Sequence, residues 1–176
     1  MKPIPSAVAL LTALALVGCG RKEKQAAKAP TASSSVAEAP ATPIPAPTDS
    51  LALVRTLYDQ ETIPSDEPNI TAFFSRDLSL ALMTDASSPE TQAVSADYRY
   101  GAQDIEIADL TFEPYADGPD GSVIRAHFRN FGKPTTVSYE LCRRPSGEWR
   151  IKDVSGPSGT LRSALKLPAA EAVEEC

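Results

Sequence analysis

The side chains of this 176-residue chain that could do chemistry are three cysteines, a single histidine and a scatter of aspartates and tyrosines. His127 stands between Arg125 and Arg129, with no second imidazole at ligand spacing and no Cys-x-x-Cys. A transition metal needs several such ligands converging, so no metal site is expected and His127 reads as a solvated strand residue. Asp117-Gly118-Pro119-Asp120-Gly121 looks superficially like a calcium loop but lacks the regular oxygen ligands and distal glutamate of one. A hairpin turn explains it better. There is no Gly-x-Ser-x-Gly elbow and no imidazole placed to activate a serine or cysteine. Asp97, Tyr98, Tyr100, Asp104 and Tyr139 could supply a general base and a hydroxyl if a pocket gathered them. Spacing gives neither reach nor a tuned pKa, and core tyrosines with turn aspartates are the simpler reading. No cofactor motif is present, and a non-enzymatic role is expected.

Charge is distributed unevenly. The net charge is −6 with a pI near 4.8, which argues against a nucleic-acid partner. From Asp59 to Asp120 fourteen acids meet two bases; from Gly121 to Lys166 nine bases meet three acids. On strict alternation Arg125, His127 and Arg129 share the wet face of one strand, and Arg150 and Lys152 fall on the same side. Arg125, Arg129, Arg150 and Lys152 are therefore candidate contacts for an acidic envelope protein or an anionic lipid head. The competing reading is a solvated face neutralised by nearby acids.

The N-terminus carries the most specific signal. Lys2 precedes an apolar run from Ala7 to Val17, too short to span a bilayer and of the length of a secretory h-region. Leu16-Val17-Gly18-Cys19 resembles the lipobox of bacterial lipoproteins. The resemblance implies that residues 1–18 are a signal peptide and that Cys19 is acylated, tying the chain to a membrane. Gly20, which is not aspartate, implies the outer membrane by the same resemblance. Residues 19–48 form a Pro/Ala-rich tether, whose five prolines and eight alanines leave little to bury.

The rest must position the candidates. Leu51, Val54, Leu57 and Tyr58 recur at helical spacing behind Thr48 or Asp49 as cap. Pro64 and Pro68 then force a loop, Ile70, Phe73 and Phe74 make an apolar turn, and Ser75 caps a helix carrying Leu78, Ala81, Leu82 and Met83. From Ile105 to Val154 the period is two: Ile105 and Ile107; Ile124, Ala126 and Phe128; Val137, Tyr139 and Leu141; Trp149 and Ile151. Short turns between the runs make the strands antiparallel. Thr160 can cap a last short helix before Pro168. The expectation is an α+β fold, N-terminal helices packed on a curved four-stranded antiparallel sheet, as a single domain over 49–167 with a tail at 168–176.

This order of elements, ending in Trp149-Arg150-Ile151-Lys152-Asp153-Val154, resembles a family of small bacterial lipoproteins known mainly as a domain of unknown function. Their fold is similar to the nuclear transport factor 2-like, or cystatin-like, cone. The resemblance implies no catalytic residues. With Cys19 acylated, Cys142 and Cys176 remain, and an oxidising compartment with an even count favours a disulfide between them, free thiols being the alternative.

Three functions compete: a non-enzymatic, immunity-type module holding an envelope protein partner, a small-ligand or catalytic cone with a pocket under the sheet, and a passive envelope component. The membrane-anchor reading makes one outcome specific. Each buried acyl methylene stabilises attachment by about 0.8 kcal/mol, so two or more chains hold firmly. Cys19→Ala is expected to lose the acyl mass and the cleavage before residue 19; a variant still cleaved there and still membrane-bound would refute the anchor.

Overall fold

The structure, a computed structural model of the chain, describes residues 49–118, 121–172 and 176. The expected signal segment and tether, with Cys19, lie outside the described residues, as do Pro119 and Asp120 of the first hairpin turn. What is described is α+β: three helices, an open antiparallel sheet of five strands and a fourth short helix.

Helix α1 (Ser50–Tyr58) starts at Asp49, whose carboxylate accepts from the Ala52 amide at 2.7 Å, and it buries Leu53, Val54 and Leu57. Helix α2 (Glu67–Phe73) replaces the turn expected around Ile70 and Phe73. Pro68 does not break the chain there. It sits in the first turn of α2, where its missing N–H has no partner to lose. Helix α3 (Arg76–Ala86) begins after Ser75, whose hydroxyl donates to Asp77 at 2.8 Å instead of accepting from a helix amide.

Strands β1 (Ile107–Asp117), β2 (Gly121–Asn130), β3 (Lys133–Arg143), β4 (Trp149–Gly156) and β5 (Gly159–Thr160) lie in chain order. The fifth strand corrects the expected four: Pro157-Ser158 is a tight turn, and Gly159, at φ +112°, returns the chain against Ser155 and Gly156. The alternation in β2 and β3 sets the register. Ile124 lies opposite Tyr139 and Ala126 opposite Val137, all buried on the helix side. In β4 a register shift lets Trp149, Ile151 and Val154 all face the core, so alternation fails across Lys152 and Asp153. Ile105 is not an inward strand residue either: β1 starts at Ile107, and Ile105 is 43 % exposed.

The two sheet edges differ. Beside β4, Phe74 pairs in parallel with Ile151 and the Ser75 amide donates to the Ile151 carbonyl at 2.9 Å, so the α2–α3 junction covers that edge. The β1 edge is a long irregular strand, with register shifts on either side of Thr111–Pro114 and Asp109 at φ +57°.

Cys142 of β3 is bonded to Cys176, with the two Cα atoms 5.7 Å apart, and Ala170 of a short 3-10 turn is buried. The bond closes a separation of 34 residues. In the chain-entropy model such a loop contributes roughly 3–4 kcal/mol. The expected outcome of Cys142→Ser with Cys176→Ser is a stability loss of up to about that size in urea titration, matched by reducing the parent protein.

Candidate functional site

Three of the five residues that could have formed a catalytic pocket, Asp97, Tyr100 and Tyr139, do meet, but they meet as structure. The segment before β1 turns tightly at Tyr98–Gly101, where the Asp97 amide donates to the Ala102 carbonyl at 3.0 Å. Gly101 is required in that turn: its φ is +64°, and a Cβ would stand 3.0 Å from the Pro157 ring. The turn drives Arg99 inward. Its guanidinium pairs with Asp97 at 2.6 Å and donates to the Gln60 carbonyl at 2.6 Å, just past the end of α1. Burial alone would lower the Arg99 pKa, but the Asp97 carboxylate outweighs it and holds the pKa above the usual arginine value.

Above that pair the Tyr58 hydroxyl donates to the Arg99 carbonyl, and the Tyr139 hydroxyl donates to Tyr58 at 2.9 Å. Tyr58 also makes edge contacts with Tyr100, Phe112 and Tyr139. Burial pushes the pKa values of Tyr58 and Tyr139 far up, so neither offers a phenolate at neutral pH. The space under the sheet centre is therefore filled by a satisfied polar cluster. Asp104 stays outside it; its carbonyl accepts from Asn130 at the surface.

The four candidate basic contacts do not form a patch. Arg150 is buried, not on the wet face. Its Nε donates to the Thr71 carbonyl in α2 at 3.0 Å, and Glu148 accepts from its guanidinium at 3.2 Å. Alternation places Arg150 outward, but it cannot foresee that α2 runs along the same edge. Burial, then Arg144, lowers the Arg150 pKa from the usual value. Arg125 lies 3.2 Å over the Tyr115 ring, Arg129 pairs with Asp109 at 3.5 Å, and Lys152 is half-buried. His127 lies between Glu113 and Thr136, each at 3.0 Å. Among the described residues no group of His, Cys, Asp and Glu has metal-holding geometry.

A pocket lies elsewhere, at the β4–β5 end. It has a volume of about 320 Å³ between the segment 93–101 and α4 (Leu161–Ala164). Val94, Tyr98, Val154 and Leu161 supply apolar wall, Ser95, Ser158 and Thr160 supply hydroxyls, and no lining residue is charged. Tyr98 is 8 % exposed, stacks edge-on against Phe74 at 5.5 Å, and its hydroxyl has no hydrogen-bond partner among the described residues. An unpaired buried hydroxyl costs about 1–3 kcal/mol. A second hollow of about 530 Å³ shares Ala93 and Ala164 with this one but is lined by Asp77, Asp85 and Lys166 as well.

No family model matches this chain, and no curated protein matches it either. Among solved structures, a phospholipid-binding protein from Ralstonia solanacearum, determined in complex with a phospholipid, is 18 % identical over 66 % of this chain and 68 % of its own, with a TM-score of 0.35. So distant a likeness fixes neither fold nor function.

The Asp97–Arg99 pair gives a clear test of structure against catalysis. Removing one member of a buried pair leaves an uncompensated charge and costs about 3–5 kcal/mol. Asp97→Ala is expected to lower unfolding stability by that order in urea. Tyr139→Phe, which removes one neutral hydrogen bond, should cost only about 1 kcal/mol.

Proposed function

We propose that the chain is an acylated envelope protein, anchored through Cys19, whose folded domain is a non-enzymatic binding module for a small, uncharged, mainly apolar ligand. The observation that carries this reading is the pocket at Tyr98: thirteen lining residues without a charge, in a chain where 23 % of residues are charged. A charged ligand there would lose hydration and gain no counter-charge. An uncharged one would bury its body against Val94, Val154 and Leu161 and direct a polar group at Ser95, Ser158 or Thr160. At about 320 Å³ the pocket stands at the small end of the usual range for small-molecule sites. No reaction is assigned, because Asp97, Tyr58 and Tyr139 are committed to hydrogen bonds with the protein itself.

A second reading, an envelope protein partner on the outer sheet face, is favoured by one observation. Tyr115, 59 % exposed, carries the Arg125 guanidinium on its ring. Tyrosine and arginine are the residue types that dominate protein interfaces. Of the four bases first considered, only Arg125, Arg129 and Lys152 remain available to such a partner.

The pocket is tested with the neutral fluorophore N-phenyl-1-naphthylamine on the mature chain, residues 19–176 carrying Cys19→Ser, so that neither acyl chains nor the apolar run at Ala7–Val17 binds the dye. Saturable binding is expected, abolished by Ala164→Trp at the pocket mouth with an unchanged Tm, and indifferent to Tyr115→Ser. Absence of saturable binding, or binding unaltered by Ala164→Trp, would discard the pocket reading. Salt-weakened capture of a protein partner, lost in Tyr115→Ser, would then put the second reading first.

A further inference from the structure

The β2–β3 hairpin tip is built against its own turn chemistry. Asn130 pairs with Lys133, leaving a two-residue turn of Phe131 and Gly132 with φ of +49° and +74°. A turn with both central φ angles positive favours Asn-Gly, because a bulky residue with a Cβ is strained there. Phe131 takes the first position nonetheless, and its ring is 55 % exposed. The tip is also held firmly. The Phe131 amide donates to the Glu106 carbonyl at 3.0 Å, the Glu106 amide to Asn130 Oδ1 at 2.8 Å, and Asn130 Nδ2 to the Asp104 carbonyl at 3.1 Å. These bonds fix Ile105, 43 % exposed, at the same end of the sheet. Two of the four exposed large apolar side chains among the described residues therefore share one tip.

We infer that this tip, Phe131 with Ile105, inserts into the interface of a zwitterionic lipid bilayer. The inference rests on the anchor reading for the nearness of a membrane, and on the hairpin for everything else. Two side chains offer on the order of 200 Å², against about 800 Å² per partner in a stable protein interface. A bilayer interface asks for no shape match and favours aromatic rings at headgroup depth. Charge selects the kind of bilayer. Lys133 and Arg129 stand beside the tip, but so do Asp104, Glu106 and Asp109, and Arg129 is paired with Asp109 at 3.5 Å. The mixture gives no net attraction to anionic heads. Reach is sufficient. Ser50 meets Ser122 at 3.2 Å, so the folded domain begins beside the start of β2 and the tip lies past its far end, about 30 Å away. Residues 19–48 extend to at most about 100 Å, more than enough for an anchored domain to turn its tip to the surface. Tethering makes a two-residue contact effective by raising its local concentration.

The test uses the mature chain, residues 19–176 with Cys19→Ser, so that neither acyl chains nor the apolar run at Ala7–Val17 contributes, and phosphatidylcholine vesicles, read by co-sedimentation. Phe131→Asn is the informative variant, since asparagine suits the turn better than phenylalanine. It is expected to raise the Tm by a few degrees while lowering vesicle partition at least fivefold; Leu80→Gln, at an equally exposed leucine on α3, should change neither. Undiminished partition in Phe131→Asn, or no partition of the parent chain, would overturn the inference. Acylation of Cys19 is read separately by mass, so failure of the anchor and failure of the tip are told apart.

Discussion

Three buried guanidiniums hold the helices of this domain in place, one against the turn before β1 and two against β4. Arg99 donates to the carbonyls at the end of α1, Arg150 to Thr71 in the last turn of α2, and Arg162 pairs with Asp77 in the first turn of α3 at 2.6 Å. Arg162 also donates to the Lys152 carbonyl of β4 at 3.1 Å and to the Pro168 carbonyl. Apolar packing is non-directional, and Leu53, Leu57, Ile70 and Leu78 would tolerate small slides of each helix across the strands. A planar guanidinium with donors in a fixed fork does not. It fixes which turns of α2 and α3 face β4, and which end of α1 meets the turn before β1. Asp77 shows the local result: burial would raise its pKa, but hydrogen bonds from Arg162 and Ser75 hold it below the ordinary carboxylate value.

That arrangement explains what could and could not be read from the residues alone. Ile124, Ala126 and Phe128, then Val137, Tyr139 and Leu141, announce their strands because each has one buried face and a two-residue hairpin fixes their register. The arginines announce nothing. Arg150 and Arg162 look like members of a basic half, yet both serve to satisfy helix and strand carbonyls inside the protein. Pro68 looked like a breaker because the same residue type ends helices and begins them, and only its position in the turn decides. Across Lys152 and Asp153 the extra residue of the bulge inverts the alternation, and a pattern argument has no means to see it.

The pocket was the least legible feature. Its walls are glycines, alanines, serines and single apolar residues drawn from the 93–101 segment and the β4–α4 region. None is a chemical motif, and their convergence depends on the turn at Gly101 packing against Pro157. Of the residues that did suggest chemistry, Asp97, Tyr100 and Tyr139 belong to the neighbouring network, where the Asp97 carboxylate and the Tyr139 hydroxyl are spent on the fold. Tyr98 alone of that set lines the pocket instead. Its buried, unpaired hydroxyl is visible only in three dimensions.

The irregularity of β1 bears on crowding. As an edge strand of eleven residues it offers a long row of backbone groups to which a strand of a neighbouring molecule could add. Pro114 removes one donor, the register shifts break the straight run, and Asp109 at φ +57° twists the end of the ladder away from a flat edge. For a chain anchored as proposed above, such encounters would be frequent, since proteins confined to a surface meet more often than the same proteins diluted in a volume. A strand built this way offers a neighbouring strand little straight ladder to extend.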